Sequence, residues 1–270
     1  MTVEYRRPWL QDVLAPVALI ITVLVVWELA TWYWRIPEWL LPPPSGIALA
    51  AFASRSIMAP HIQQTLLETG VGLVLALATG LSLAVIVDVS TVLRRAVYPL
   101  LVASQTIPII AIAPLLVIWL GYGILPKIII VALVCFFPIV VSTADGLRSV
   151  DPDLVALLRT MGATRSQMFL KVRLPSALPS FFSGLKIAIT YSVIGAIIGE
   201  WVGASRGLGV FMLRASNSFR TDWVFAAIIV VSLLSIVLFF MVVIIERLSL
   251  PWFFAAREEQ WMEVKKSESA

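Results

Sequence analysis

Residues 128–141 read IIIVALVCFFPIVV, a run without a charged residue and with almost no polar side chain. A helix made of such a run has no polar face, so we expect it to be surrounded by lipid and by other helices. With its flanks the run extends to a predicted helix over residues 124–145, and about 20 apolar residues suffice to cross the bilayer hydrocarbon. This stretch therefore predicts a membrane-spanning helix.

Five further stretches have the same character, and they cover residues 13–34, 63–88, 97–119, 179–201 and 222–246. The 270-residue chain is 60% hydrophobic and 13% charged. Water-soluble domains carry roughly twice that charged fraction. The composition excludes a soluble globular domain and predicts an all-α, polytopic membrane protein of about six helices.

The N-terminus resembles a signal peptide in one respect, because Arg6 and Arg7 precede an apolar run. That run is longer than the apolar core of a secretory signal, and no small-x-small cleavage motif follows it, so we expect a retained first span. Cys135 and His61 are the single cysteine and histidine of the sequence. They predict neither a disulfide nor a metal site, and no catalytic residue is expected.

The distribution of basic residues predicts the orientation. With both termini in the cytoplasm, thirteen of the 20 lysines and arginines fall on the cytoplasmic side and six on the other. This bias fits the positive-inside rule, so we expect an N-in, C-in topology. On the outer side we expect a first loop over residues 35–62 with a stiff Pro42-Pro43-Pro44 element, and a turn-rich connection over 203–209 that leads to a short surface helix.

The longest predicted cytoplasmic loop contains a first short helix. Asp151 is a favourable N-cap and Pro152 suits the first helical position. Four apolar residues then recur at helical spacing and form one stripe: Leu154, Leu157, Leu158 and Met161. Gly162 is expected to end the helix, because glycine adopts the left-handed conformation that follows many helices.

A second helix is predicted directly after the first. Thr164 and Gln167 have the spacing of a capping box. We expect Leu174-Pro175 and Pro179 to end this helix before the fifth span. Two interpretations of the helix pair remain open at this point: the helices lie on the bilayer surface, or they dock a partner protein.

One part of this loop resembles a known motif. Gly162, nine residues and then Val172-Arg173-Leu174-Pro175 match the loop of ABC importer permeases, which reads Glu-Ala-Ala, three residues, Gly, nine residues, Ile-x-Leu-Pro. The opening acid of that motif is replaced here by Ala156. Six flanking segments narrow the resemblance to permeases for nitrate, taurine, sulfonates and related small organics: Trp27-Glu28, residues 41–45, residues 105–108, residues 113–116, residues 199–201 and residues 207–209.

The resemblance implies the fold of a type I ABC importer and a loop that contacts the ATPase. The residues implied for that contact are Asp151, Asp153, Leu154, Leu157, Leu158, Arg159, Met161, Gly162, Ala163, Thr164, Leu174 and Pro175. It divides the chain into residues 1–60 (N-terminal segment, first span and external loop), 61–250 (the transmembrane domain, with its coupling loop at 146–178) and 251–270 (a charged tail).

The same resemblance implies the partners. They are two cytoplasmic ATP-binding subunits, an extracytoplasmic solute-binding protein and a second copy of the chain, in a bacterial inner membrane and without nucleic acid. ATP and Mg would be used by the partner ATPase, and we expect this chain to bind no cofactor and to catalyse no reaction. Residues 199–205 and 221–226 look closest to permeases for thiamine-precursor pyrimidines or riboflavin, with aliphatic sulfonates, taurine and nitrate as alternatives.

Polar residues at membrane depth predict a translocation path, because lipid cannot satisfy them. The candidates are Ser104, Gln105, Thr106, Pro108, Tyr191 and Glu200. For the candidates in the third span, hydrogen bonding between helices is an equally good interpretation of the polar side chains. A stand-alone secondary transporter or channel is the alternative from another class, although the inverted repeats and charged midplane sites of such proteins are not evident.

Overall fold

The computed structural model describes residues 9–255, with side chains from residue 14 onward. Within that range the chain is helical and contains no β-strand, so the all-α prediction is confirmed. Arg6, Arg7 and the tail from residue 256 onward lie outside the described residues.

Ten α-helices and one π-helix make up the described chain. They are α1 (Trp9–Tyr33), α2 (Pro44–Val89), α3 (Thr91–Ser104), α4 (Ile109–Leu120), α5 (Leu125–Arg148), α6 (Pro152–Thr160), α7 (Arg165–Met168), the π-helix (Phe169–Arg173), α8 (Leu174–Trp201), α9 (Leu208–Asn217) and α10 (Thr221–Ser249). Among the described residues, five continuous helical stretches are long and apolar enough to cross a membrane, and the bent pair of α3 and α4 makes a sixth if it is counted as one span.

The predicted outer loop over residues 35–62 is much shorter than expected. Helix α2 begins at Pro44 and runs for 46 residues, so it includes most of that loop and also His61. Pro44 suits a first helical position, where no N–H donor is needed. Glu28 accepts hydrogen bonds from the Ser45 N–H (3.0 Å) and hydroxyl (2.7 Å), which places an anion at the start of α2 where the helix dipole favours it.

The third predicted span, residues 97–119, is broken into two helices. Helices α3 and α4 meet at an angle of 98°. Pro108 lies at this break as the N-cap of α4. A proline lacks the N–H that would continue the helix and disfavours helical geometry at the residue before it, here Ile107. Pro99 lies inside α3 and Pro114 inside α4 without ending either helix, so Pro108 is the proline of this stretch that marks the break.

Two compact units are distinguished in the chain. The first holds residues 9–60 and 211–230 of the described part. Within it, the rings of Trp27 and Phe225 pack edge to face at 5.6 Å, and those of Phe211 and Trp223 stack at 5.6 Å. Aromatic pairs of this kind stabilise a fold beyond the area that they bury.

The second unit holds residues 61–210 and 231–255 of the described part. Its core lies where α2, α5 and α8 meet, and the buried side chains there are mostly small: Ala76, Val131, Ala132, Cys135, Ile139, Ala188 and Ala196. Small side chains let helix backbones approach closely, which is how helices associate in lipid. The Cys135 thiol donates to the Ala188 carbonyl at 3.3 Å, so it is a buried packing residue.

The connection after α8 leads into α9 as predicted, but α9 is not a surface helix along its whole length. Leu208 and Val210, at its start, are buried. This part of the helix is held by contacts described below, which join residues far apart in the sequence.

Candidate functional site

Helix α6 has the capped ends that its sequence predicts. The Asp151 carboxylate accepts a hydrogen bond from the Asp153 N–H at 2.8 Å, and Pro152 follows as the first helical residue. At the other end, the N–H of Gly162 donates to the Arg159 carbonyl and that of Ala163 to the Leu158 carbonyl, both at 3.0 Å. This pair of bonds is a Schellman motif. The short helix is therefore fixed at both ends by its own residues.

The apolar stripe of α6 is exposed. Leu157 and Met161 expose 57% and 74% of their surface, Leu154 is also exposed, and Leu158 is half-buried. No residue of α6 is buried. A helix of nine residues gains little stability from propensity alone, so helices of this length are normally held by packing of their apolar face. Within the described chain that face has no partner.

The second predicted helix begins as expected and ends differently. Thr164 and Gln167 form a reciprocal capping box, with the Gln167 N–H donating to Thr164 Oγ1 (3.3 Å) and the Thr164 N–H to Gln167 Oε1 (2.9 Å). The prediction that Leu174-Pro175 ends this helix was wrong, because residues 165–201 form one continuous helical stretch. The Leu174 N–H donates to the Phe169 carbonyl, five residues back, and this π-turn carries the helix through Pro175.

The other residues implied for the ATPase contact surround the stripe. Asp153 and Arg159 are exposed in the first and last turns of α6, and Ala163 is half-buried in the joint. Ala156, which stands in place of the family's acid, is also exposed. We refer to residues 151–175 as the coupling segment.

Three of the six candidate path residues lie together. Ser104, Gln105 and Tyr191 line a cavity of about 770 Å³ between α3, α4, α5 and α8, and Phe136, Phe137 and Ser142 lie on its wall. The Ser104 hydroxyl donates to the Leu101 carbonyl at 2.7 Å. Thr106 and Pro108 lie at the break between α3 and α4 and are not part of this lining.

Glu200 lies elsewhere, in a buried polar cluster. Its side chain is 1% exposed. The Thr65 hydroxyl donates to Glu200 Oε1 and the Gly209 N–H to Oε2, both at 2.6 Å. The Leu208 N–H donates to Thr65 Oγ1 at 2.9 Å, so one threonine of α2 joins the end of α8 to the start of α9.

The cluster includes residues that the sequence did not single out. His61 Nδ1 lies 3.0 Å from the Gly207 nitrogen and 2.7 Å from its carbonyl oxygen. The Gln64 amide donates to Glu68 Oε1 at 2.8 Å, and Lys127 Nζ donates to the Gly123 carbonyl at 2.6 Å. Lys127 and Glu68 are almost fully buried, like Glu200. We refer to His61, Thr65, Glu68, Lys127, Glu200, Gly207 and Gly209 as the Glu200 cluster.

Little in the sequence points to this cluster. The Gly-Glu-Trp and Gly-Leu-Gly segments carried part of the family resemblance, and they supply Glu200, Gly207 and Gly209. The sequence predicts His61 in the outer loop over residues 35–62, and Lys127 is one of the six basic residues on the non-cytoplasmic side of the predicted topology. The available signal is the presence of charged residues inside two predicted spans, Glu68 in 63–88 and Lys127 in 124–145, because a buried charge requires a nearby partner.

Comparison with known proteins gives the following matches. Residues 72–249 match the model of a family described as binding-protein-dependent transport system inner membrane component. The formylaminopyrimidine transport permease protein ThiX of Halalkalibacterium halodurans is 42% identical over 240 residues, which cover 88% of this chain and 96% of that protein. The riboflavin transport system permease protein RibX of Chloroflexus aurantiacus is 35% identical over 160 residues, 59% of this chain and 60% of that protein.

A solved structure shares the fold. A chain of the MetNI methionine ABC transporter, in an inward-facing conformation, superposes with a TM-score of 0.64 at 22% sequence identity. The match covers 72% of this chain and 97% of that chain. The predicted fold of a type I ABC importer is thus confirmed.

Proposed function

Because the chain belongs to the family of inner membrane components of binding-protein-dependent transport systems, we propose that it imports an uncharged aromatic heterocycle, such as a thiamine-precursor pyrimidine or a riboflavin-like compound. The chain is a multi-pass membrane protein and the permease subunit of an ABC importer, which works with an ATPase partner. The proposal has three parts: the identity of the solute, the residues that contact it and the way in which the ATPase docks.

The lining of the cavity at Gln105 and Tyr191 carries the proposal for the solute. Phe136, Phe137 and Tyr191 offer aromatic faces, and Gln105, Ser104 and Ser142 offer polar groups at its edge. None of the described lining residues is charged. A sulfonate or nitrate ion moved out of water would need a positive partner, whereas a neutral ring can stack on aromatic side chains and use the few polar groups for orientation. The cavity therefore favours the heterocycle over the anionic alternatives.

We also propose that the apolar stripe of α6 contacts the ATP-binding subunit. The contact would be a helix laid into a groove, with Leu154, Leu157 and Met161 as anchors. ATP binding and hydrolysis by two such subunits would then shift a permease dimer between outward-open and inward-open states, with solute delivered by an extracytoplasmic binding protein at a bacterial inner membrane. The permease would contribute different stabilities of the two states and no covalent chemistry.

Uptake measurements test the solute. The chain is expressed with its ATPase and binding protein in cells that lack other routes, and uptake of a labelled aminopyrimidine, riboflavin and taurine is compared. We expect heterocycle uptake that taurine does not inhibit. Tyr191→Phe should retain most uptake, since it keeps the aromatic face, and Tyr191→Ala should lose about tenfold if stacking contributes 1–1.5 kcal/mol. Uptake of taurine alone, unaffected at Tyr191, would contradict the proposal.

A further inference from the structure

An ion pair joins the coupling segment to the end of α2. Arg173 Nη1 lies 2.9 Å from Asp88 Oδ2, although the residues are 85 positions apart in the sequence. The Asp88 side chain is only 3% exposed, whereas the Arg173 side chain is 34% exposed. A carboxylate buried to this degree is strongly destabilising without its partner. The pair therefore fixes the position of the coupling segment against α2.

The location of Arg173 indicates a role for the ion pair in movement between helices. Arg173 is the last residue of the π-helix, between the capping box at Thr164 and the first turn of α8. A π-turn is an irregular point in an otherwise continuous helix, and such points are frequently found at functional sites. A movement of α6 and α7 would thus reach α8 through an irregular turn, and α2 through a direct charged contact.

Helix α2, which makes this contact at Asp88, also contacts a second site at its other end. From Asp88 back to Thr65 the helix is uninterrupted, and 23 residues at about 1.5 Å each correspond to about 35 Å, roughly the thickness of a bilayer core. At that end the Thr65 hydroxyl donates a hydrogen bond to Glu200 and accepts one from the Leu208 N–H. One helix therefore contacts the coupling segment at Asp88 and the Glu200 cluster at Thr65, each through a buried polar side chain.

We propose that Arg173 and Asp88 are a positioning pair that transmits movement of the coupling segment to α2, and through α2 to the connection over residues 203–209. This inference rests on the proposed docking of the ATPase at α6. The pair would not be needed for the ATPase to bind, because α6 and its exposed stripe do not include it. It would be needed for ATP hydrolysis to produce transport.

The test separates binding from coupling. Asp88→Asn and Arg173→Gln are compared with the unmodified chain for ATPase co-purification, ATP hydrolysis in proteoliposomes and solute uptake. Both variants should retain the ATPase and lose about tenfold in solute transported per ATP hydrolysed, within the usual range of coupling between sites. Asp222→Asn is the matched control, since its ion pair with Arg220 is more exposed and lies outside the coupling segment.

Rescue distinguishes transmission from a general defect. Arg173→Lys keeps the charge and should restore most of the coupling that Arg173→Gln loses. The exchange of both residues, Asp88→Arg with Arg173→Asp, should couple better than either single change. Normal coupling in both single variants, or loss of ATPase binding in either, would overturn the proposal.

A reporter at the far end tests the transmission itself. Ser205→Cys places a thiol on the connection over residues 203–209, and its labelling by a membrane-impermeant maleimide is followed with and without ATP and vanadate. The labelling rate should change with nucleotide in the otherwise unmodified chain and stay constant with Asp88→Asn. A nucleotide response that survives Asp88→Asn would refute transmission through this pair. Failure of the unmodified chain to bind any ATPase would instead refute the proposed function.

Discussion

Helix α6 and the Glu200 cluster both depart from the usual arrangement, in which apolar side chains are buried and charged side chains are exposed. Helix α6 exposes Leu157 and Met161 to the outside, whereas the cluster buries Glu200, Glu68 and Lys127 almost completely. Exposed contiguous apolar residues indicate an interaction site, and buried charges require partners nearby. The two regions therefore differ in where their partners lie.

Glu200 and Lys127 of the cluster find their partners within the chain, while Glu68 has a hydrogen-bond partner at Oε1 and none at Oε2 among the described residues. Both oxygens of Glu200 accept hydrogen bonds from the chain, and Lys127 donates to a backbone carbonyl. The apolar stripe of α6 packs against no buried core of the described chain. The two ends of the helix are held by hydrogen bonds between nearby residues. Substitutions in the cluster should consequently affect the stability of the isolated chain, and substitutions on the stripe should affect assembly with another protein.

The largest effect is expected from Gly207→Ala. Gly207 has φ +132°, and a Cβ at this position would overlap with Glu200 Cδ. The connection or the carboxylate must move, and a displaced Glu200 loses partners in a buried site, so we expect a loss of roughly 3 kcal/mol. The measurement is thermal unfolding of the detergent-solubilised chain, monitored by size-exclusion chromatography.

Gly70→Ala is the matched control for this substitution. Gly70 lies within α2, and a Cβ there meets nothing within 4 Å. Alanine is the better helix former, so the apparent Tm should stay the same or rise. Equal destabilisation by Gly70→Ala and Gly207→Ala would show that the contact with Glu200 is not the cause.

A second effect is expected on assembly from Leu157→Asp. A carboxylate in the centre of the exposed stripe should weaken binding of the ATPase by about a hundredfold, the size of a typical hot-spot loss, while the apparent Tm of the isolated chain is unchanged. Co-purification of the tagged ATPase and its titration in nanodiscs provide the measurement.

Ala156→Asp adds the same charge on the adjacent, non-stripe side of α6. It should retain most of the ATPase binding, since the family's motif has an acid at that position. If both aspartates were equally damaging, the added charge rather than the apolar stripe would account for the loss. A lowered Tm for Leu157→Asp would mean that Leu157 packs within the chain.

The same contrast explains how much could be predicted from the sequence. The N-cap of α6 and the capping box at Thr164 are made by residues within three positions of each other, so a linear pattern contains the whole interaction. Glu200 meets Thr65 across 135 positions, and His61 meets Gly207 across 146. No local pattern specifies such pairs, because they depend on how whole helices pack.

The errors at helix ends have a related cause. The sequence predicts a helix end at Pro175 and one span over residues 97–119, whereas the helix continues through Pro175 and the span breaks at Pro108. The π-turn at Leu174 rearranges the backbone hydrogen bonds just before Pro175, so the missing donor is accommodated. Helix α3 ends at Ser104, and Gln105 and Thr106 form a turn before Pro108; the Ser104 and Thr106 hydroxyls each donate to a carbonyl three residues back.

The smallest effect is expected from Gly162→Ala, at the joint of the coupling segment. Gly162 also has a positive φ, +82°, but a Cβ there meets nothing within 4 Å. The only cost of the change is therefore that alanine disfavours the left-handed backbone conformation by about 1 kcal/mol. This should fray the Schellman motif and weaken ATPase binding by about fivefold. Gly162→Asn should lose less, because asparagine tolerates this conformation better than alanine does. Hydrogen exchange at the Gly162 and Ala163 amides, measured beside ATPase binding, follows the fraying directly. If Gly162→Ala lowered the Tm of the chain as much as Gly207→Ala, the joint would be a packed element like the Glu200 cluster, and the distinction between the two regions would fail.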